Sequence, residues 1–430
     1  MNEKEIEQYL IDFHKKELPK SIARDLKVHS QDKIKVIIGP RRAGKTFFLY
    51  YMMNELRKNK KNVLYLNFEN TKLFGVNFKE IKEIINMNER LFPSQKNNPY
   101  ILFLDEPQNV DLWEKAVREL YDEGYNLFIS GSSSKLLSKE IATSLRGRSI
   151  SYLLLPFSFS EFLKEKGYPY SKLLSSEEKN RLLKLLDEYL EFGGFPEIVI
   201  ENNKELKVKD IESYLELTIY KDIVERYQIK DSILVKWFLK SVASCYSREL
   251  SINKIYLTLK SQGRKISKDE LYSYASIVED SLFAFYLPKF SHSLRKREPI
   301  SKVYLCDVGF NKLIETGEDK GKKMENVVFL ELQRKKTPTR ELFYWKNVQQ
   351  EEVDFVIKEE GKIKELIQVC KDISDPETKQ REIRALLKAS KDLKCKNLLV
   401  ITENYEFEEE ADWLNLKGNI RYVPIWKWLL

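Results

Sequence analysis

Gly39-Pro40-Arg41-Arg42-Ala43-Gly44-Lys45-Thr46 decides the fold, because it follows an apolar run, Ile34 to Ile38, and opens a helical pattern, Lys45 to Lys58. The pattern G-x-x-x-x-G-K-[ST] between a strand and a helix predicts a phosphate-cradling loop. Glycines let backbone amides close on an anion, and the first turn of the helix adds partial positive charge. On this reading residues 39 to 46 take the phosphates of ATP. Lys45 reaches the β- and γ-phosphates, and the Thr46 hydroxyl ligates magnesium. A short match of this kind can be a plain glycine turn; the flanking elements argue against that here.

Working outward, three more β-rich runs appear: Val63 to Phe68, Tyr100 to Leu104 and Asn126 to Ile129. Each is separated from the next by room for a crossover helix, and Leu153 to Leu155 is a candidate fifth strand. The alternation predicts an α/β domain with a parallel sheet covered on both faces. The second run leads into Asp105-Glu106 at the C-terminal end of a buried strand, the edge where open parallel sheets bind ligands. Asp105 is expected to hold magnesium through water, and Glu106 to polarise the attacking water. Past the next strand, Ser130 or Ser132 is placed to touch the γ-phosphate or that water; a Ser/Gly turn without a role is the alternative. Arg146 or Arg148 is a candidate finger toward a neighbouring subunit's nucleotide, Arg148 being the preferred one, against solvated surface arginines.

Composition sets the limits around this core. A chain of 430 residues exceeds one ordinary core, so several domains are expected. No run of about eighteen apolar residues occurs and the first residues are polar, so the reading is cytoplasmic, without a membrane partner. The four cysteines and three histidines are scattered, which argues for free thiols rather than a zinc site. A net charge of +8 permits a nucleic-acid partner without demanding one.

Beyond the nucleotide core, residues 159 to 204 read as a helical lid ending in the turn Gly193-Gly194-Phe195-Pro196-Glu197. Residues 205 to 302 read as helices and a winged helix-turn-helix, with Ser251 and Ser267 as N-caps, Gly263 between the helices, and a basic wing or linker over 291 to 302. Residues 303 to 430 read helix, three strands, helix, strand. With the first domain spanning 1 to 158, the chain divides into four parts.

These stretches together resemble the prokaryotic P-loop ATPases that join an AAA+-type domain and a winged helix to a restriction-endonuclease-like (PD-(D/E)xK, DUF4143-type) domain. The residues that carry the likeness are GPRRAGKT, FLDEPQNVDLWEKAVREL, ISGSSSKLL, LRGRSISYLLLPFSFSEF, GGFPE, YKDIVERYQIKD, MENVVFLEL and EVDFVI. The resemblance implies ATP hydrolysis with Lys45, Thr46, Asp105 and Glu106 in the roles above. It also implies a nuclease-type site in the last domain, at Glu325, Asp354, Gln368 and Cys370. A working site of that class needs acids to bind magnesium and a lysine beside the second acid. Here Gln368 replaces an acid and Cys370 the lysine, so the site has lost a negative charge and its usual cation. Lys371 or Lys358 could substitute from elsewhere, although Lys371 points away from the Cys370 side of the strand. A fold kept for DNA or protein contacts is therefore the expectation, ahead of cleavage.

Arg264, Lys265 and Lys268 are candidate phosphate contacts of the second winged-helix helix, and Arg295 and Arg297 of the basic linker. A winged helix that only packs domains is the alternative. Two functions follow: an ATPase that acts on DNA, and a nucleotide-dependent switch that assembles with ATP and binds a protein, with a homo-oligomer allowed by either.

Overall fold

The computed structural model describes residues 2–29, 32–95, 98–132, 145, 147–171, 173–291, 301–313 and 319–430. It forms two compact units, Met1–Pro156 and Phe157–Leu430.

The first unit begins with α1 (Glu3–Lys15), which buries Ile6, Tyr9, Leu10 and Phe13 on one face. Next come β1 (Ile34–Ile38), α2 (Lys45–Lys58), β2 (Val63–Asn67) and α3 (Phe78–Leu91). The unit closes with β3 (Ile101–Asp105), α4 (Trp113–Asp122), β4 (Asn126–Gly131) and β5 (Ser149–Leu153). The strands lie in the order β2-β3-β4-β1-β5, and every pair is parallel. All five β1 residues are buried, so the apolar run that precedes the loop is the centre of the core. Each such aliphatic side chain contributes about 1.5–3 kcal/mol when fully buried. Asn77 and Glu80 close a capping box that starts α3.

The fifth strand is shifted from its expected place at 153–155. It covers Ser149–Leu153, registered so that Ile34 faces Ser149 and Ile38 faces Leu153. Its residues are only half-buried and alternate with serines, so it does not read as a continuous apolar run. Leu154 runs instead past the loop: its N–H donates to the Ile38 carbonyl at 2.6 Å, and a Cβ on Gly39 would lie 2.0 Å from the Leu154 carbonyl oxygen. Only glycine fits there.

The second unit starts with α5 (Phe159–Glu165), α6 (Ser176–Phe192), α7 (Pro196–Ile200) and α8 (Lys204–Leu217). A π-helical stretch, Thr218–Glu225, leads to α9 (Ser232–Ser244). A short strand β6 (Arg248–Glu249), α10 (Ile252–Ser261), α11 (Lys268–Asp280), β7 (Ala284–Pro288) and β8 (Ser301–Leu305) follow. Ser251 and Ser267 cap α10 and α11, and Gly263 takes φ +75° between them, as expected. β6, β8 and β7 form an antiparallel sheet in that order. The segment 291–302 is thus not all linker: Ser301 and Lys302 belong to β8, which also runs across the boundary expected at 302/303.

The final elements are α12 (Lys320–Arg334), β9 (Arg340–Lys346), β10 (Glu352–Glu359), β11 (Lys362–Val369), α13 (Pro376–Leu393) and β12 (Leu398–Thr402). Their order is the expected helix, three strands, helix, strand. The sheet then grows by β13 (Phe407–Trp413) and β14 (Leu416–Pro424), which sequence reading did not find, before α14 (Ile425–Trp428). β13 reads Phe-Glu-Glu-Glu-Ala-Asp-Trp, an edge strand whose exposed glutamates hide its period.

The GGFPE turn has a structural cause inside this unit. The Asp307 carboxylate accepts from the Gly194 N–H at 2.7 Å and the Gly309 N–H at 2.8 Å. A Cβ on Gly193, at φ +79°, would fall 1.6 Å from the Asp307 Oδ1. Burial pushes the Asp307 carboxyl up to about 7, opposed by the two glycine amides and by Arg334.

Candidate nucleotide-binding site

Gly44, at φ +89°, turns β1 into α2 and has no side chain to cap the helix. The first turn of α2 carries no acidic residue, so its leading amides are left for an anion. Arg42 also takes a left-handed conformation, φ +67°, and the Ala43 N–H folds back to the Pro40 carbonyl at 3.2 Å. Arg41 leans toward Glu69 at 3.6 Å.

The Lys45 ammonium is buried and rests on two loop carbonyls, Gly39 at 3.1 Å and Pro40 at 3.2 Å. Its nearest carboxylate oxygen is on Glu106, at 3.9 Å. The Thr46 hydroxyl donates to the Asp105 Oδ2 at 2.8 Å, so the loop and the end of β3 meet across one hydrogen bond. A hydroxyl and a carboxylate in that relation can share a hydrated divalent ion. Tyr65 O–H donates to the same oxygen at 2.7 Å, and Ser130 O–H to the Asp105 Oδ1. Glu106 sits at φ +51°. Its Oε2 accepts from the Ser132 N–H at 3.2 Å, the Ser132 hydroxyl at 3.3 Å and the Gln108 amide. Burial raises the Glu106 carboxyl above its usual range; Lys45 opposes this and Asp105 adds to it.

The structure therefore gathers Lys45, Thr46, Asp105, Glu106 and Ser132 at one strand edge. Sequence reading missed Tyr65, Gln108 and Arg24. The Arg24 guanidinium donates to the Ala43 carbonyl at 3.1 Å and the Leu155 carbonyl at 2.6 Å, bracing the loop from the lead-in. Tyr65 stands on the strand beside β3, facing Phe103 in register, one pleat from Asp105, a placement that needs the fold. Arg148 is engaged away from the loop. It donates to Asp122 at 3.0 Å and lies over the Tyr121 ring at 5.6 Å. Arg146 lies outside the described residues.

In the second unit Glu325 and Asp354 are brought together around a buried cation. It is Lys302, whose ammonium meets Glu325 at 2.8 Å and Asp354 at 2.9 Å. Burial alone would depress Lys302; Asp354 and Glu325 outweigh it and hold the ammonium well above the lysine range. Burial and Asp354 raise the Glu325 carboxyl, against Lys302. The Gln368 side chain accepts from the Asp354 N–H at 3.2 Å and donates to Glu382 at 2.7 Å. Cys370 faces the Asp372 carbonyl instead, its thiol pushed up by burial to about 11. Lys358 is spent on Glu341 at 2.8 Å. Among the described residues no group of three or more His, Cys, Asp or Glu is placed to hold a metal ion.

Of the expected nucleic-acid contacts, Arg264 pairs with Asp231 at 3.2 Å, Lys265 is exposed, and Lys268 lies 5.3 Å from the Tyr256 ring. Arg295 and Arg297 lie outside the described residues. The exposed positions of α11 include Lys268 but also Asp269, Glu270 and Glu279. No described helix is long and apolar enough to cross a membrane.

Comparison with known proteins agrees with the first unit's fold. Residues 31–163 match the AAA domain, residues 183–318 a domain of unknown function (DUF8612), and residues 320–428 another (DUF4143). An uncharacterized protein of Methanocaldococcus jannaschii, MJ1544, is 41% identical over 96% of this chain and 91% of its own length. An uncharacterized protein of Haemophilus influenzae is 31% identical over 71% of this chain and 75% of its own. Among solved structures, AMPPCP-bound DnaA from Aquifex aeolicus is similar at 16% identity and TM-score 0.26, covering 59% of this chain and 83% of that one. A likeness that slight carries no argument.

Proposed function

The chain belongs to the same family as MJ1544 of M. jannaschii, and from that premise we propose that it is a magnesium-dependent ATPase that acts on DNA. The observation that supports this most is the Thr46 hydroxyl on Asp105 at 2.8 Å, beside a lysine hydrogen-bonded to two loop carbonyls. Residues 39–46 would take the phosphates, with Thr46 and Asp105 holding the ion. Bound magnesium neutralises phosphate charge and polarises the transferring group. Lys45 releases Gly39 and Pro40 to donate to the phosphates. Glu106, turned toward Ser132 and Gln108, swings to accept a proton from water. Burial raises its pKa, which suits a base that must hold that proton.

The DNA part of the proposal rests on Lys265, Lys268 and the basic run through Arg295 and Arg297, in a winged-helix setting ahead of a PD-(D/E)xK-like domain without nuclease activity. ATP turnover with and without single-stranded, duplex and branched DNA at low salt tests it. Stimulation that fades as salt rises is expected; no stimulation by any form removes DNA from the proposal.

A second reading is a nucleotide-dependent switch that binds a protein, and the acidic first turn of α11 favours it. Asp269 and Glu270, beside Lys268 in that turn, suit a phosphate groove poorly. Light scattering with a non-hydrolysable ATP analogue separates the two: this reading expects an ATP-dependent change in assembly size without DNA.

A further inference from the structure

Lys302 reaches out of β8 as a buried side chain, and one ammonium meets three carboxylates: Glu325 at 2.8 Å, Glu352 at 2.6 Å and Asp354 at 2.9 Å. An ammonium has three donors, and here three acids surround it. Further groups of the protein engage the same carboxylates. Tyr304 O–H donates to Glu325 Oε1 at 2.7 Å, the Val369 N–H donates to Asp354 Oδ2 at 2.9 Å, and Lys346 stands 3.6 Å from Glu352 Oε2. β8 is pinned to α12 beside this cluster: Leu305 N–H donates to Asn326 Oδ1 at 2.8 Å, and Asn326 Nδ2 donates back to the Leu305 carbonyl at 3.0 Å.

We infer that the Lys302 ammonium stands in the cation position of the nuclease-like site, so that this domain carries a permanent internal ion in place of a divalent metal. The inference rests on the nuclease-like reading of this domain and is independent of the ATPase. An ammonium gathers carboxylates as a metal does, but it offers no open coordination position and lowers no bound water's pKa. It therefore keeps the cluster's architecture and removes its hydrolytic chemistry. The departures at Gln368 and Cys370 then have one cause. An acid at 368 would add a further negative charge to a group whose three acids Lys302, with Lys346 beside Glu352, already underbalances. The glutamine instead accepts from the Asp354 N–H at 3.2 Å and donates to Glu382 at 2.7 Å. A second lysine at 370 would have no acid left to meet.

Counting bound Mn2+ by electron paramagnetic resonance on the full chain, without nucleotide, tests this. Wild type and Asp354→Asn are expected to bind equal numbers of ions, and Lys302→Met to bind one more per chain, because only an added cation can gather the freed acids. One more ion in wild type than in Asp354→Asn overturns the inference, as does no gain in a folded Lys302→Met. Should Lys302→Met fail to fold, wild type against Asp354→Asn still decides. A parallel incubation of supercoiled plasmid with Mn2+ is expected to leave it uncut by wild type; nicking that Asp354→Ala abolishes overturns the inference. Since ATP turnover is read separately from ion counts, failure here leaves the nucleotide site standing, and the reverse.

Discussion

Two buried lysines, one in each unit, are held in opposite ways. Lys45 rests on two neutral carbonyls and stands 3.9 Å from its nearest carboxylate, whereas Lys302 is closed in by three carboxylates within 2.9 Å. A carbonyl contact to an ammonium is cheap to exchange for a phosphate, while exchanging three carboxylates, two of them buried, leaves each of them uncompensated. The first lysine is ready for a ligand; the second already has its counter-ions. Acid-lysine clusters look alike in a sequence, and what distinguishes a reactive one is whether the cation has unspent hydrogen bonds.

The contrast breaks if the two lysines prove interchangeable in effect. Glu106→Gln gives the largest expected loss, with turnover falling about 10²–10⁴-fold while ATP stays bound, in single-turnover and filter-binding assays. Lys302→Ala is expected to destabilise the second unit by about 3–5 kcal/mol, because it strands buried acids, and to leave ATP affinity unchanged. Denaturant melts followed alongside ATP titration check both halves. An ATP-binding defect in this variant would erase the distinction between the two clusters.

A pH effect of intermediate size is expected from Asp307, whose carboxyl is raised to about 7 by burial. Below an unfolded value of about 3.9 both states carry the proton. Between there and about 7 the folded state alone holds it, so stability falls as pH rises through that window and levels off above it. Asp307→Asn removes this titration, and its melting temperature against pH should be flatter than the wild type's over the same range. Equal slopes would mean that the carboxyl is already ionised in the fold.

Smaller still is Tyr65→Phe, which removes one hydrogen bond from Asp105 and should cost about 1 kcal/mol. The expected result is a several-fold rise in the magnesium needed for half-maximal turnover, with the fold intact by circular dichroism. Arg148→Ala should change turnover least, since an exposed ion pair contributes about 0–1 kcal/mol. A large loss there would restore the finger expected from sequence.

The loop was legible because its chemistry leaves few choices: Gly39 has the Leu154 carbonyl against it, and Gly44 needs positive φ. Asp105 and Glu106 were legible because an apolar strand ends on them. Residues that act from other elements were not. Arg24 and Tyr65 reach the site from a lead-in and a neighbouring strand, where local pattern says nothing of direction. Lys302 was hidden most completely, since its neighbours form a basic run that reads as solvated linker, while its own side chain is buried. β13 escaped for the opposite reason, its exposed glutamates masking a strand. Register and burial, which need the fold, supplied what spacing alone did not.

Calorimetric titration of Mg-ATP into wild type, Lys45→Ala and Lys302→Met tests the contrast most directly. Saturable heat is expected from wild type and Lys302→Met and none from Lys45→Ala. Heat from Lys45→Ala equal to wild type, or its loss in a folded Lys302→Met, would contradict it.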